Sequence, residues 1–281
     1  MGQPAGEALD ALLEGAVAAA RAGAGVLDGY FRSGRLQVGV KAANDFVTQA
    51  DRESEATLVG ELLRRFPGHR ILAEEGTVHD AATSELEWVI DPLDGTTNFL
   101  QGLPVWAVSV ACRRGEEILA GVVLDPQGGN LFSARRGGGA FWNGRPMRVS
   151  SRRGLDGAFL ATGYPFRARA ALDLYLEMFR DVFGRARAIR RCGAAALDLA
   201  YTAAGVYDGF FELRLSPWDI AAGALLVEEA GGRVSDFDGG GLQMASGNVL
   251  AGSAGVWQEL VAAAGRCGAA EAALDDLVPR A

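Results

Sequence analysis

The sequence predicts a layered protein of mixed α+β and α/β character, built as two lobes that meet near residue 150. Three observations carry that prediction. Short apolar runs punctuated by glycine turns fill the first half in a pattern that reads as antiparallel strands. From about residue 150 strand-like and helix-like segments alternate. The 281 residues, 49% hydrophobic and 22% charged, suffice to bury a large core in one large domain or two modest ones.

The elements follow in order. Leu9, Leu12, Leu13, Ala16, Val17 and Ala20 recur at helical spacing and leave Glu7, Asp10 and Glu14 toward water, so the chain opens on a helix. A second helix follows Thr48. It gathers Val59, Leu62, Leu63 and Phe66 on one face, and Pro67-Gly68 stops it. Strands are expected at Arg70–Ala73, Trp88–Ile90, Val105–Cys112, Ile118–Leu124 and Leu131–Ala134, with turns at Gly137-Gly138-Gly139 and Asn143-Gly144. In the second half Ala158–Ala161, Ala188–Arg190, Gly209–Leu213 and Val249–Ala251 read as strands. Ala170–Phe183, Ala194–Ala204, Pro217–Ala230 and Trp257–Ala264 read as helices. A cleft between the lobes is where a small-molecule site is expected.

Charge and composition exclude several classes. The net charge of −8 lacks the basic footprint that nucleic acid or an anionic membrane demands. Three cysteines, Cys112, Cys192 and Cys267, are too few and too scattered for a disulfide scaffold, which points to a reducing cytoplasm. Acids interrupt the N-terminal apolar stretch, so it does not read as a secretory signal, and no run is long enough to cross a bilayer.

The chemistry-bearing stretch is Trp88-Val-Ile-Asp91-Pro-Leu-Asp94-Gly95-Thr96-Thr97-Asn98-Phe99. An apolar strand runs into two aspartates three residues apart, where carboxylates repel unless a cation lies between them. Hard divalent ions with oxygen ligands, Mg²⁺ above all, meet that demand. The Gly95 and Thr96 amides at a helix start would offer an anion site beside the metal. The competing reading is that Asp91-Pro and Asp94-Gly are simply turn-formers. Glu74 and Glu75 end another apolar run, where a glutamate pair is usually a solvated loop. Asp219 falls at N3 behind Ser216-Pro217, and Asp51 at N3 behind Thr48, so both also read as helix-capping acids. Taken together, four acid-bearing segments sit at strand ends or helix starts. His69 and His79 stand isolated, which disfavours zinc, and no Gly-x-Ser-x-Gly supports a serine triad. An all-carboxylate site for phosphoryl chemistry remains.

These residues resemble the inositol monophosphatase family, especially its bacterial branch. Trp88–Phe99 carries the resemblance, together with Trp218-Asp219-Ile-Ala-Ala-Gly-Ala-Leu-Leu-Val-Glu-Glu-Ala-Gly231-Gly232. Support comes from Asp45-Phe-Val-Thr48-Gln-Ala-Asp51 and Arg190-Arg191-Cys192-Gly193-Ala-Ala-Ala-Leu. The resemblance implies an αβαβα sandwich of two lobes with the active site between them. Residues 1–149 would carry most metal ligands, and residues 150–281 the substrate contacts and one ligand. It further implies that Glu74, Asp91 and the Leu93 carbonyl bind one Mg²⁺, that Asp91, Asp94 and Asp219 bind a second, and that a weaker third sits near Glu74 in some states. Asp51 and Thr96 would activate the attacking water, and the Gly95 and Thr96 amides would hold the phosphate. Gly193, Ala194, Ala195 and Glu212 would line the pocket for the alcohol, and Lys41 would add positive charge near the metals. Ala194 stands where relatives often carry Ser or Thr, which weakens strict inositol selectivity. Arg167 and Arg190 carry little weight as ligands. The implied activity is Mg²⁺-dependent, lithium-sensitive hydrolysis of myo-inositol 1-phosphate or a related polyol phosphate by a cytoplasmic homodimer. Fructose 1,6-bisphosphate, a 3′-phosphonucleotide, NADP and histidinol phosphate are the alternative substrates, and a regulatory protein-interaction module is the alternative class.

Overall fold

The computed structural model describes residues 6–34, 36, 38–42, 45–80, 84–166 and 169–268. The first helix, α1 (Gly6–Tyr30), and the second, α2 (Gln49–Arg65), pack together; between them lies a hairpin of β1 (Val38–Ala42) and β2 (Asp45–Thr48). Thr48 caps α2 and Asp51 answers it at N3, the reciprocal arrangement that the Thr-x-x-Asp spacing predicts.

An eight-stranded sheet follows. It comprises β3 (Arg70–Ala73), β4 (Val78–His79), β5 (Leu86–Asp94), β6 (Ala107–Arg114), β7 (Glu117–Asp125), β8 (Asn130–Arg135), β9 (Gly139–Trp142) and β10 (Arg145–Pro146), with the short helix α3 (Thr96–Leu100) after β5. Its order is β10-β9-β8-β7-β6-β5-β3-β4, and only β3 and β5 run parallel. The second sheet has the order β12-β11-β13-β15-β14, from β11 (Phe159–Thr162), β12 (Ala188–Arg190), β13 (Gly209–Glu212), β14 (Arg233–Ser235) and β15 (Val249–Gly252). Its helices are α4 (Leu172–Phe183), α5 (Ala195–Ala203), α6 (Pro217–Glu229) and α7 (Ala254–Arg266).

Three hydrophobic cores fill the four interfaces of five layers, the αβαβα sandwich that the resemblance implies. Leu12, Leu27, Leu58, Trp88 and Val110 join α1 and α2 to one face of the large sheet. Its other face, with Val123 and Phe132, packs on α5 and α6 through Leu199, Ile220 and Leu225, and these helices reach Phe210 and Ala251 of the small sheet. Beyond that sheet Tyr175, Met178 and Leu260 of α4 and α7 cover Phe211 and Leu250. Small residues let α6 approach both the large sheet and α5 closely. A Cβ added at Gly121 on β7 would stand 3.1 Å from the Ala222 backbone of α6, and one at Gly223 would stand 2.5 Å from Leu199 Cβ of α5.

The structure corrects several element limits. The strand expected at Trp88–Ile90 runs from Leu86 through Asp94, because polar side chains end an apolar run without ending the backbone ladder. The turn region 137–146 contains β9 and β10, and β4 and β10 are two-residue edge strands too short to show periodicity. The hairpin 38–48 and β14 are likewise additional. Residues 169–171 form a 3₁₀ turn before α4, and the last helix starts at Ala254, three residues earlier than Trp257.

Candidate active site

β5 brings the acids to the site. Its residues are buried along nearly its whole length, and it pairs with β6 in register until Asp91 meets Ser109. The ladder then slips, and Asp94 pairs with Ala107. Side chains three apart on a regular strand point to opposite faces. The irregularity around Pro92, which has no N–H to give the ladder, resets that alternation and turns Asp91 and Asp94 to the same place. The Leu93 N–H donates to Asp91 Oδ1 at 2.9 Å. Gly95, at φ 93°, then turns the chain into α3.

Asp219 arrives from the other side, at N3 of α6. Its Oδ2 accepts from the Ser216 N–H at 2.7 Å. Asp91, Asp94 and Asp219 are all buried, and each offers an oxygen within 4.8 Å of the others. Burial raises the Asp91 pKa well above the usual carboxylate range, and the charges of Glu74, Asp94 and Asp219 raise it further. Asp94 is pushed up to about 7, first by burial and then by Asp219. The Ala196 and Ala195 amides, donating to Asp94 at 2.8 and 3.2 Å from the start of α5, pull it partly back. Glu74 follows β3 on the parallel neighbour of β5, where its N–H donates to Ile90 O at 3.2 Å and its half-buried carboxyl stands beside Asp91.

Asp51 reaches the same region from α2. Its Oδ2 accepts from the Thr48 N–H at 3.0 Å and from the Thr48 hydroxyl, while Thr96 Oγ1 donates toward its Oδ1 at 3.3 Å. Thr96 Oγ1 also lies 3.1 Å from Leu93 O. The capping and site readings of Asp51 and Asp219 are therefore not rivals. Each acid caps its helix and faces the site at once.

A pocket of about 180 Å³ opens beside the acids. Asp94, Gly95, Thr97 and Asp219 contribute to its lining, as do Gly193, Ala194, Ala195 and Glu212. Gly163 makes room for Glu212, since a Cβ there would sit 1.8 Å from Glu212 Oε1. Asn98 fastens the two sides together: its Nδ2 donates to Val105 O at 2.7 Å and to Cys192 O at 2.9 Å.

Sequence reasoning missed several residues here. Buried Glu55 accepts from the Glu75 N–H at 2.8 Å, the Thr77 N–H at 3.2 Å and the Thr77 hydroxyl, and so fixes the turn that carries Glu74. Its spacing of one helical turn from Asp51 was the available signal. Arg191 and Arg214 also line the pocket. Arg214 has φ 62°, a left-handed conformation that costs a side-chain-bearing residue roughly 1–2 kcal/mol. Its Nε and Nη2 are buried without a hydrogen-bond partner, at about 1–3 kcal/mol for an unmade bond. Arg190 instead lies over the Phe159 ring, Cζ 5.0 Å from its centroid. His69 accepts from Trp88 Nε1 at 3.1 Å and stacks on Phe66, a packing role. Arg167 and the Lys41 side chain lie outside the described residues.

The inositol monophosphatase family model matches residues 8–268. The chain belongs to the inositol monophosphatase family. It is similar to a Pseudomonas aeruginosa member named Nus factor SuhB, 50% identical over 230 residues that cover 80% of this chain and 85% of that one. It is 44% identical over 246 residues to a Mesorhizobium japonicum member named inositol-1-monophosphatase, covering 88% and 92% of the two chains. The crystal structure of extragenic suppressor protein suhB from Bartonella henselae superimposes with a TM-score of 0.84 at 41% identity, covering 92% of this chain and 98% of that one. Members of the inositol monophosphatase family are generally Mg²⁺-dependent, and the donor set here suits that ion. The buried cluster able to hold a metal consists, among the described residues, of carboxylates alone, hard oxygen donors in mutual repulsion with no histidine or thiolate among them.

Proposed function

We propose that this protein is a Mg²⁺-dependent phosphomonoesterase that hydrolyses a polyol or sugar phosphate, with myo-inositol 1-phosphate as the reference substrate. The observation that carries the reading is the convergence of Asp91, Asp94 and Asp219, three buried carboxylates whose oxygens lie within 4.8 Å of one another. Such a cluster is costly unless cations neutralise it. Glu74, Asp91 and the Leu93 carbonyl would hold one Mg²⁺; Asp91, Asp94 and Asp219 would hold a second; a weaker third would sit near Glu74. The bound ions would supply charge neutralisation for the phosphate and leaving oxygen and an activated water at neutral pH.

The chain's own groups do the positioning. Thr96 and Asp51, joined at 3.3 Å, orient the attacking water, and the Asp51 carboxylate takes up its proton. The Gly95 and Thr96 amides at the start of α3 hold phosphate oxygens. Glu212 accepts from substrate hydroxyls, and the segment Gly193, Ala194 and Ala195 shapes the pocket around them. No side chain attacks phosphorus, because phosphoryl transfer needs positioning and charge neutralisation more than a protein nucleophile. Free Cys112, Cys192 and Cys267 are compatible with a cytoplasmic enzyme. Leu172, Leu176 and Phe183, exposed on α4, support pairing of two copies.

The name Nus factor, borne by the Pseudomonas relative, favours a second reading: a regulatory protein-interaction role on the same fold. A panel of phosphate esters assayed with Mg²⁺, with and without lithium, tests the first. Phosphate release that requires Mg²⁺, falls with lithium and inverts configuration at phosphorus is expected. Release of no phosphate from any ester leaves the regulatory reading standing alone.

A further inference from the structure

The two ends of the pocket come from distant parts of the chain. One is the turn at Gly95 and Thr96 that opens α3; the other is the loop Gly193–Ala195 that leads into α5. Asn98 stands on α3 and is buried. Its Nδ2 donates to Val105 O at 2.7 Å, just before β6, and to Cys192 O at 2.9 Å, 94 residues further along; Gly193 O follows at 3.4 Å. Those neighbours are acceptors only, so the amide nitrogen is the end that must face them, and both of its hydrogens are committed. The segments it joins are in close contact. A Cβ added at Gly95 would stand 3.0 Å from Val105 O and 3.4 Å from Ala194 Cβ, and one at Gly193 would stand 3.3 Å from Asn98 Nδ2. The Ala195 and Ala196 amides fix the far end of the loop on Asp94. Asn98 fixes its near end, at Cys192, where Gly193 turns the chain with φ 87°. Asn98 itself does not line the pocket.

We propose that Asn98 is a positioning residue for the alcohol of the substrate: through the Cys192 carbonyl it sets the gap between the phosphate turn and the Gly193–Ala195 loop. That gap selects esters whose hydroxyls lie at a matching distance from the phosphate. Asn98 touches no substrate atom and acts through the loop it holds, so its loss lets the loop drift while the acids stay in place. An ester whose alcohol has no hydroxyls gains nothing from the fixed gap and loses little when it relaxes. The inference rests on the phosphomonoesterase reading of this site and adds the residue that governs its selectivity.

The test compares kcat/KM for myo-inositol 1-phosphate with that for 4-nitrophenyl phosphate, an aryl ester without further hydroxyls, both at saturating Mg²⁺. The proteins are wild type, Asn98→Leu, which keeps the volume and removes the donors, and Asn98→Ala, which removes both. Thermal unfolding identifies the variants that fold, and Asn98→Ala decides if Asn98→Leu does not. The ratio of the inositol ester to the aryl ester should fall at least about tenfold, through a raised KM for the inositol ester more than through kcat. A folded variant that keeps the wild-type ratio, or that loses both esters equally, overturns the inference and leaves the phosphatase reading intact. Wild-type protein that releases no phosphate from either ester overturns both.

Discussion

Two helix starts in this protein begin alike and end in different company. At α2 Thr48 is followed by Asp51, and at α6 Ser216 is followed by Asp219; both acids stand at N3 and both accept a hydrogen bond from the N–H of the capping residue. Around Asp51 lie the hydroxyls of Thr48 and Thr96. Around Asp219 lie the carboxylates of Asp91 and Asp94. One local motif therefore sets an acid among hydroxyls in the first case and among carboxylates in the second. Local sequence places the side chain, and the partner segment decides its chemistry.

The sharpest way to break this comparison is Asp219→Asn. The amide oxygen can still accept from Ser216, so the helix start survives, but the charge is lost. Turnover should fall by roughly 10³-fold or more, at about 1.4 kcal/mol per factor of ten, and Mg²⁺ binding followed by calorimetry should weaken with it. Asp51→Asn should lower kcat by about 10²–10⁴-fold, the range for losing a general base, while Mg²⁺ affinity stays near wild type. Equal losses of Mg²⁺ affinity in the two variants would erase the distinction drawn between the helix starts.

A smaller effect is expected from Glu55→Gln. An amide cannot accept all the bonds that Glu55 takes from Glu75 and Thr77, so the Glu74 turn loosens. Mg²⁺ affinity should drop about tenfold, as for other groups that hold a ligand in place, with kcat largely restored at high Mg²⁺. An unchanged affinity would reduce Glu55 to a packing residue.

The last prediction concerns pH. The raised pKa of Asp94, about 7, and of Asp91 means that the folded, metal-free chain holds protons that the unfolded chain releases. That stability is fully present below about pH 4, the ordinary aspartate value, and is lost as pH climbs through 7. Thermal unfolding in EDTA should show Tm falling between pH 5 and pH 8, and Mg²⁺ should remove much of the fall. A Tm that rises over this range without metal would contradict the assigned charges.

The sequence made the middle of each sheet legible and the margins obscure. Trp88, Val89 and Ile90 announce β5, yet Asp91 and Asp94 hide its last turn of ladder, because an apolar pattern reports burial and not backbone pairing. β4 and β10 are two residues each and leave no periodic trace. Asp51 and Asp219 were visible as capping acids from spacing alone. Their convergence with Thr96 and Asp91 came only with the family resemblance, since it depends on contacts 45 and more residues away that spacing does not report. Arg214 gave no sign at all. Its left-handed backbone is a conformation that sequence signals assign to glycine or asparagine.

The small residues of the middle layer have a further consequence. Gly121 and Ala222 act as a spacer gauge: with no side chain larger than a methyl group, they let α6 sit directly against the sheet bearing Asp91 and Asp94. A wedge of two or three carbons at that depth would push α6 away from the sheet bearing the acids while leaving every carboxylate untouched. In this architecture the spacing of the acids is set at a depth that none of them occupies.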